Sequence, residues 1–202
     1  MKVVVSYINS KYSIDETIKK IDTSIADGIH VDLMDGFYVN KKNTLPDFTN
    51  ITKPLDIHLM VKNPNLYFPK IIKLKPVCVY IHPSTSVNPI EALNYLRNNK
   101  IKSGIVINPN ENIDDFQDYF PYVDRVLLMS VIPGAGGQEF IEETSERLKY
   151  LKQFQFDFEV YVDGGINAES IKKVALAEGV VSGSFICNSD DFDKQIKLLK
   201  ES

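Results

Sequence analysis

The segment LDIHLMVKNPNLYFPKIIKLKPVCVYI, residues 55–81, decides the fold. Two apolar, β-branched runs, 55–61 and 77–81, enclose a stretch at 64–74 whose apolar residues recur at helical spacing. This order predicts a strand, a crossover helix and a second strand parallel to the first, because a crossover of about a dozen residues returns the chain to the same end of the sheet.

The same unit repeats along the chain. Strands are predicted at 2–8, 29–34, 55–61, 77–81, 102–107, 124–130, 158–162 and 179–184, and helical patterns lie at 14–25, 64–74, 89–99, 144–154 and 168–177. Such alternation is typical of a parallel α/β fold. No G-x-G-x-x-G follows the first strand, which disfavours a dinucleotide-binding open sheet. No linker or low-complexity tract divides the chain, so we predict one (β/α)8 TIM barrel domain over residues 1–202.

Composition excludes several classes of protein. The 202 residues carry 23 Lys and Arg against 27 Asp and Glu, mixed along the chain, so nucleic-acid binding by a basic face is not expected. No apolar run approaches the ~20 residues of a membrane helix. Cys78 and Cys187 form no CxxC motif, and the chain opens on a strand-like run without the features of a secretory signal. We expect a cytoplasmic protein that binds neither nucleic acid nor membrane.

Histidines mark the candidate site. All three fall at or near the carboxyl ends of predicted strands, where the active site of an α/β barrel lies. His30 and Asp32 share one face of their strand, His58 lies on the next strand, and Asp163 follows the seventh. Two imidazoles and two carboxylates form a ligand set for zinc, iron, manganese or cobalt.

Simpler roles exist for each of these residues alone. A single buried histidine is more often a hydrogen-bonded core residue than a ligand, and Asp163 before Gly164 fits an ordinary turn. His82, just after the fourth strand, either reaches the site or only satisfies a hydrogen bond. Asp56 lies two residues before His58 and so on the same face of the strand, and the sequence does not show which cation neutralises its charge.

Glycines cluster after the last three predicted strands. Barrels often bind phosphate with the loops after strands seven and eight, aided by a short helix N-terminus. Each cluster alone fits an ordinary loop, but beside a metal site they predict a phosphorylated substrate handled by a divalent cation. The residues are Gly134, Gly136, Gly137, Gly164, Gly165 and Gly183, the last followed by Ser184.

Five segments resemble the ribulose-phosphate 3-epimerases, in that family's order, and the match runs from Ser6 to about Ile186. They are HVDLMDG (30–36), DIHLMV (56–61), LLMSVIPGAGGQEF (127–140), VDGGI (162–166) and SGSFI (182–186). The resemblance implies a barrel of the ribulose-phosphate-binding type, a phosphorylated ketose as substrate and one divalent metal ion. Relatives that epimerise allulose 6-phosphate share these motifs, so the resemblance does not choose the sugar.

The resemblance also implies a role for each matching residue. His30, Asp32, His58 and Asp163 correspond to the metal ligands, and Asp32 and Asp163 also to the two acid/base carboxylates. The implied substrate contacts include methionines beneath the sugar, a loop that closes over it, and glycines on the phosphate side. They are Ser6, His58, Met34, Met60, Met129, Gly134, Ala135, Gly136, Gly137, Gly164, Gly165, Gly183 and Ser184.

Two loops depart from the family pattern. Phe37-Tyr38-Val39-Asn40 stands where the family usually has His-Phe-Val-Pro-Asn, and Ala135 replaces the aromatic residue of Gly-Phe-Gly-Gly. These changes bear on the identity of the substrate and on the catalytic rate. They do not bear on the basic chemistry, because the four implied metal ligands are retained.

The leading hypothesis is a 3-epimerase that converts D-ribulose 5-phosphate to D-xylulose 5-phosphate through an enediolate. The alternatives are an allulose-6-phosphate 3-epimerase, an aldolase or decarboxylase, and a barrel that binds sugar phosphate without turnover. Aldolases and decarboxylases of this kind usually carry a lysine at a strand end, and no clear strand end here does. The fold often forms symmetric dimers or larger rings, so a homo-oligomer is an open expectation.

Overall fold

The computed structural model describes residues 1–202 and contains a closed barrel of eight parallel strands. Neighbours in the barrel follow chain order, and β8 pairs with β1 to close the sheet. The predicted (β/α)8 barrel is therefore confirmed. The strands are β1 (Lys2–Ser6), β2 (Gly28–Met34), β3 (Leu55–Met60), β4 (Cys78–Ile81), β5 (Lys102–Ile107), β6 (Arg125–Met129), β7 (Glu159–Asp163) and β8 (Gly179–Ser182).

Helices of unequal length connect the strands. None is long and apolar enough to cross a bilayer. The α-helices are α1 (Ile14–Thr23), α2 (Phe68–Ile71), α3 (Pro89–Asn98), α4 (Thr144–Leu151), α5 (Ser184–Cys187) and α6 (Phe192–Glu201). Segments of 3-10 helix lie at Pro64–Leu66, Ile72–Leu74, Pro83–Thr85, Ile113–Tyr122 and Ser170–Val174.

Two predicted helices differ from the structure. The segment 64–74 is divided into two short 3-10 pieces around α2. Pro69 lacks the N–H that a continuous helix from residue 64 would need at that point, which accounts for the interruption. The segment 168–177 contains only a 3-10 helix at Ser170–Val174, whose start is fixed by the Asn167 side chain as it accepts bonds from the N–H groups of Glu169 and Ser170.

The apolar core has two parts, one between sheet and helices and one inside the barrel. Inside the barrel, Tyr80 and Tyr161 are fully buried. Their rings fit because the neighbouring strands carry glycine: a Cβ at Gly104 would lie 2.4 Å from the Tyr80 ring, and one at Gly179 would lie 2.3 Å from the Tyr161 ring. Pairing large with small residues fills the barrel to a packed core.

A buried ion-pair network lies at the amino-terminal end of the barrel interior. Arg125 Nη1 lies 2.8 Å from Asp56 Oδ2, and Arg125 Nε lies 2.7 Å from Glu159 Oε2. The guanidinium also lies over the Tyr161 ring at 4.4 Å. Burial raises the pKa of Asp56, and Arg125 opposes that rise. Arg125 is thus the partner of the Asp56 charge that the sequence left open.

Removing the cation of this network should destabilise the barrel. We expect Arg125→Met to lower the free energy of unfolding by about 3 to 5 kcal/mol, because it leaves the Asp56 carboxylate buried and unpaired. Urea denaturation measures the change. The double variant Arg125→Met/Asp56→Val should recover most of the loss, since neither charge then remains; a double variant no more stable than Arg125→Met would contradict this account.

Candidate active site

Four potential ligand side chains meet at the carboxyl end of the barrel. Asp32 on β2 is paired in register with His58 on β3, His30 lies two residues before Asp32 on the same face, and Asp163 ends β7. Their ligand atoms all lie within 4.8 Å of one another, although β8 and β1 stand between β7 and β2 in the barrel. The structure therefore brings together the four residues that the sequence predicts as metal ligands.

The geometry of the cluster fits a metal ion. Asp32 Oδ1 lies 3.4 Å from His30 Nε2 and 3.3 Å from His58 Nδ1, and Asp163 Oδ2 lies 3.6 and 3.9 Å from the same two nitrogens. Both nitrogens are buried without a hydrogen-bond partner. Ligands at about 2.1 Å from a tetrahedral ion lie about 3.4 Å apart, so these separations are those of a coordination shell. Buried, unpaired nitrogens facing two carboxylates match a mixed nitrogen–oxygen cation site.

The electrostatics of the cluster also favour a cation. Burial lowers the pKa of His30, but Asp32 and Asp163 outweigh burial and raise that pKa to about 9. Burial would raise the pKa of Asp32, yet His30 and His58 hold it well below its usual range. For Asp163, burial and the Asp32 charge outweigh the two imidazoles and raise the pKa to about 6. Two carboxylates, Asp32 at 6% and Asp163 at 14% exposure, thus draw positive charge to this point.

Serine hydroxyl groups hold the Asp32 carboxylate and the backbone at Asp163. Ser6 Oγ at the end of β1 donates to Asp32 Oδ2 at 2.9 Å, which leaves Asp32 Oδ1 facing the imidazoles. Ser130 donates from Oγ to the backbone carbonyl of Asp163 at 2.9 Å and so ties the end of β7 to the residue after β6. The turn after Asp163 needs glycine: Gly164 has φ 113°, and a Cβ there would lie 2.3 Å from Val131. Asp163 is therefore both a turn residue and a member of the cluster.

A cavity of about 390 Å³ opens beside the cluster. Of the sequence-predicted site residues, His30 is fully buried behind the cavity, and Met34 is buried but does not line it. The others line the cavity: Ser6, Asp32, His58, Met60, Met129, Gly134, Ala135, Gly136, Gly137, Asp163, Gly164, Gly165, Gly183 and Ser184.

Loops from three strands meet above this cavity. A Cβ at Gly134 would lie 2.9 Å from Val39 of the loop after β2, and one at Gly136 would lie 2.7 Å from Asn9 of the loop after β1. Gln138 Nε2 donates to the carbonyls of Ile132 and Ala135 at 2.6 and 2.8 Å, which holds the loop after β6 in a tight turn. The loop with Ala135 is therefore folded over the cavity without the aromatic side chain.

Sequence reasoning missed several lining residues. Most lie within the quoted motifs or directly beside them, which was the available signal; Ile8 and Asn188 carried no recognisable signal. The missed residues are Ile8, Val131, Ile132, Pro133, Gln138, Glu139, Ile166, Asn167, Val181, Phe185 and Asn188.

His82 contacts the site through His58. Its Nε2 lies 2.9 Å from His58 Nε2, and its Nδ1 lies 2.8 Å from the Tyr38 hydroxyl. Asn108, at the end of β5, donates from Nδ2 to the same hydroxyl at 3.0 Å. Burial, with His58 beside it, lowers the pKa of His82 well below its usual value, so this imidazole is neutral. The sequence carried a signal for both partners of His82. Asn108 is a polar residue directly after β5, and Tyr38 lies in the unusually long loop after β2.

Metal binding should stabilise the protein measurably. Zinc at about 100 times its dissociation constant should raise the melting temperature of metal-stripped protein by about 5 to 10 °C, because the ion binds only the folded cluster. Differential scanning fluorimetry measures the shift. His30→Gln should abolish it, and Mg²⁺ should give a smaller shift because it prefers oxygen ligands. No shift with zinc, manganese, cobalt or iron would contradict a metal site.

Solved structures similar to this chain share its fold. The 3-hexulose-6-phosphate synthase from Salmonella typhimurium superposes with a TM-score of 0.69 at 12% identity, covering 100% of this chain and 97% of that one. The KGPDC of Streptococcus mutans superposes with a TM-score of 0.68 at 11% identity, covering 99% of this chain and 95% of that one. At such low identity these likenesses show the barrel alone.

Sequence relatives are much closer. A ribulose-phosphate 3-epimerase of Helicobacter pylori is 36% identical over 203 residues, 95% of this chain and 93% of the relative. Those of Aquifex aeolicus and Bacillus subtilis are 34% and 30% identical; the alignments span 94% and 100% of this chain and 90% and 99% of the relatives. The family model described as the ribulose-phosphate 3 epimerase family matches residues 3–187. The chain therefore belongs to the ribulose-phosphate 3-epimerase family.

Proposed function

We propose that this protein is a metal-dependent isomerase that interconverts D-ribulose 5-phosphate and D-xylulose 5-phosphate by inverting carbon 3. The observation that carries the proposal is the pair of carboxylates, Asp32 and Asp163, which share one cluster with His30 and His58 beside a cavity lined by glycine-rich loops. Family membership supports an epimerase with a phosphorylated sugar as substrate.

The residues His30, Asp32, His58 and Asp163 would hold one divalent ion. When bound, that ion supplies positive charge that stabilises negative charge developing on the substrate oxygens. The proton on carbon 3 is weakly acidic because it lies next to a ketone, so its removal also needs a positioned base.

Each carboxylate has one oxygen for the cluster and one for proton transfer. Asp32 turns Oδ1 and Asp163 turns Oδ2 towards the imidazoles. The remaining oxygens, Asp32 Oδ2 and Asp163 Oδ1, are the atoms that take and return the proton. One aspartate removes the proton from one face of carbon 3, and the other delivers a proton to the opposite face. The centre is inverted, and the two aspartates exchange roles in the reverse reaction.

The rest of the cavity suits an enediolate intermediate and a phosphate group. Met60 and Met129 are buried and line the cavity, and their thioethers neither give nor take protons, so they shield the enediolate. On the phosphate side, glycine lets backbone N–H groups approach the oxygens closely. The residues assigned there are Gly164, Gly165, Gly183 and Ser184.

The other candidate functions have less support. No lysine lines the cavity, so it offers no amine for the Schiff base that a lysine-dependent aldolase would form. A barrel that only binds sugar phosphate does not need two carboxylates in contact with one cation position. Allulose 6-phosphate remains the second candidate substrate, because nothing in the cavity selects five carbons over six.

Further expectations stay predictions. We infer that residues 1–202 act as one domain, that the protein works in the cytoplasm and that it binds no nucleic acid. The two cysteines support a reducing compartment, since both are buried as free thiols. We also propose a homo-oligomer, because this fold often forms symmetric dimers or larger rings.

Proton NMR in heavy water tests the reaction and the sugar together. Metal-loaded protein should incorporate deuterium at carbon 3 of ribulose 5-phosphate and form the epimer, whereas metal-stripped protein should not. A parallel sample with allulose 6-phosphate ranks the two substrates. Absence of exchange with either sugar under zinc, manganese, cobalt and iron would refute the proposal.

Replacing either carboxylate should stop epimerisation in both directions. We expect Asp32→Asn and Asp163→Asn each to lower kcat by about 100-fold or more, because each direction needs one base and one acid. Coupled or NMR assays of turnover measure the loss, and circular dichroism checks the fold. Asp157→Asn, at an exposed aspartate before β7, is the matched control and should keep wild-type turnover. Near-wild-type activity in Asp32→Asn would rule out the two-base mechanism.

A further inference from the structure

We propose that His82 and Tyr38 form a positioning network for the metal centre: they fix the ring and the tautomer of His58 so that its Nδ1 presents a lone pair to the metal position. We call His58, His82, Tyr38 and Asn108 the His82 network. The inference rests on the metal centre of the proposed function and adds two residues that touch neither metal nor substrate.

The separations in the His82 network are those of hydrogen bonds. His58 Nε2 and His82 Nε2 are 2.9 Å apart, and His82 Nδ1 and the Tyr38 hydroxyl are 2.8 Å apart. His58 and His82 are 0% and 1% exposed, so water does not compete for the bond between them. The Tyr38 and His82 rings also pack at 4.4 Å between centroids, which adds a second restraint on the His82 plane.

The order of protons in the network follows from the chemistry of imidazole. Two facing ring nitrogens at 2.9 Å need one N–H and one lone pair. A metal-ligating nitrogen carries no proton, so His58 with Nδ1 at the metal position bears its proton on Nε2. His58 Nε2–H then donates to His82 Nε2. Because His82 Nε2 accepts this proton, the proton of the His82 ring is on Nδ1, where it donates to the Tyr38 oxygen.

Tyr38 can complete this order because a hydroxyl oxygen has two lone pairs. One accepts the His82 Nδ1 proton at 2.8 Å, and the other accepts the Asn108 Nδ2 proton at 3.0 Å. A phenylalanine at this position, the residue usual in the family pattern, offers no acceptor. The His82 Nδ1 proton would then have no acceptor, because Asn108 Nδ2, 3.5 Å away, is itself a donor.

The loop after β2 is built to place Tyr38 on His82. Asp35 Oδ1 accepts from the backbone N–H groups of Phe37 and Tyr38 at 2.8 and 3.1 Å, and Asp35 Oδ2 accepts from Lys62 N at 2.7 Å. Asn43, further along the same loop, ties it to β2: its side chain accepts from Met34 N and donates to the Asp32 carbonyl. Hydrogen bonds of Asp35 and Asn43 thus hold the loop that carries Tyr38 to β2 and to Lys62 after β3.

Zinc titration of metal-stripped protein tests the network, with Tyr38→Phe against Tyr95→Phe. Tyr95 is a matched control because it lies half-exposed on the outer face of α3 and its hydroxyl makes no hydrogen bond. We expect Tyr38→Phe to raise the zinc dissociation constant about tenfold or more, the usual effect of removing a hydrogen-bond partner behind a ligand, while Tyr95→Phe leaves it unchanged.

Nitrogen-15 NMR of histidine-labelled, zinc-loaded protein reads the proton order directly, and only three histidines contribute signals. We expect the proton on Nε2 of His58 and on Nδ1 of His82, with the His82 signals displaced in Tyr38→Phe. A His82 proton on Nε2 in the wild type, or equal zinc affinity in the wild type and Tyr38→Phe, would overturn the network alone. Failure of the wild type to take up zinc, manganese, cobalt and iron would instead remove the metal centre and the network together.

Discussion

Hydrogen bonds between β8 and β1 close the sheet, and the geometry of the site depends on that closure. The pairing sets Val5 beside Ser182, and the β1–β2 pairing sets Ser6 beside His30. With both registers fixed, Asp163 on β7 reaches the imidazoles of β2 and β3 across two intervening strands. An open sheet would leave these strands apart, so the four ligand atoms could not converge.

The barrel interior carries buried carboxylates at both ends and neutralises them differently. At the amino-terminal end, Arg125 supplies a covalently attached cation to Asp56 that stays charged at any ordinary pH. At the carboxyl end, the only cationic partners available to Asp32 and Asp163 among the side chains of the cluster are imidazoles, whose charge depends on a proton or is replaced by an ion. The first arrangement serves stability alone. The second keeps the carboxylates available for proton transfer, since an exchangeable ion balances their charge without a fixed guanidinium.

The loops above the site show how a shared framework is adjusted. Tyr38 and Ala135 are two of the departures from the family pattern. Tyr38 contacts His82 behind the cluster, and Ala135 lines the cavity. The tyrosine adds a hydroxyl to the hydrogen bonds behind His58, whereas the alanine removes a large side chain from the covering loop. Neither change touches the ligand atoms, so the chemistry of the cluster is preserved while its surroundings differ.

The sequence by itself determined the order of the strands, the barrel, and the convergence of His30, Asp32, His58 and Asp163. Strand periodicity and family motifs are local patterns, and each of these conclusions needs only such patterns. Tertiary structure alone decided that Arg125 neutralises Asp56, that His82 bonds His58, and that Met34 lies outside the cavity. Those contacts join positions far apart in the chain or depend on side-chain rotamers, and both are set by the register and packing of the closed barrel.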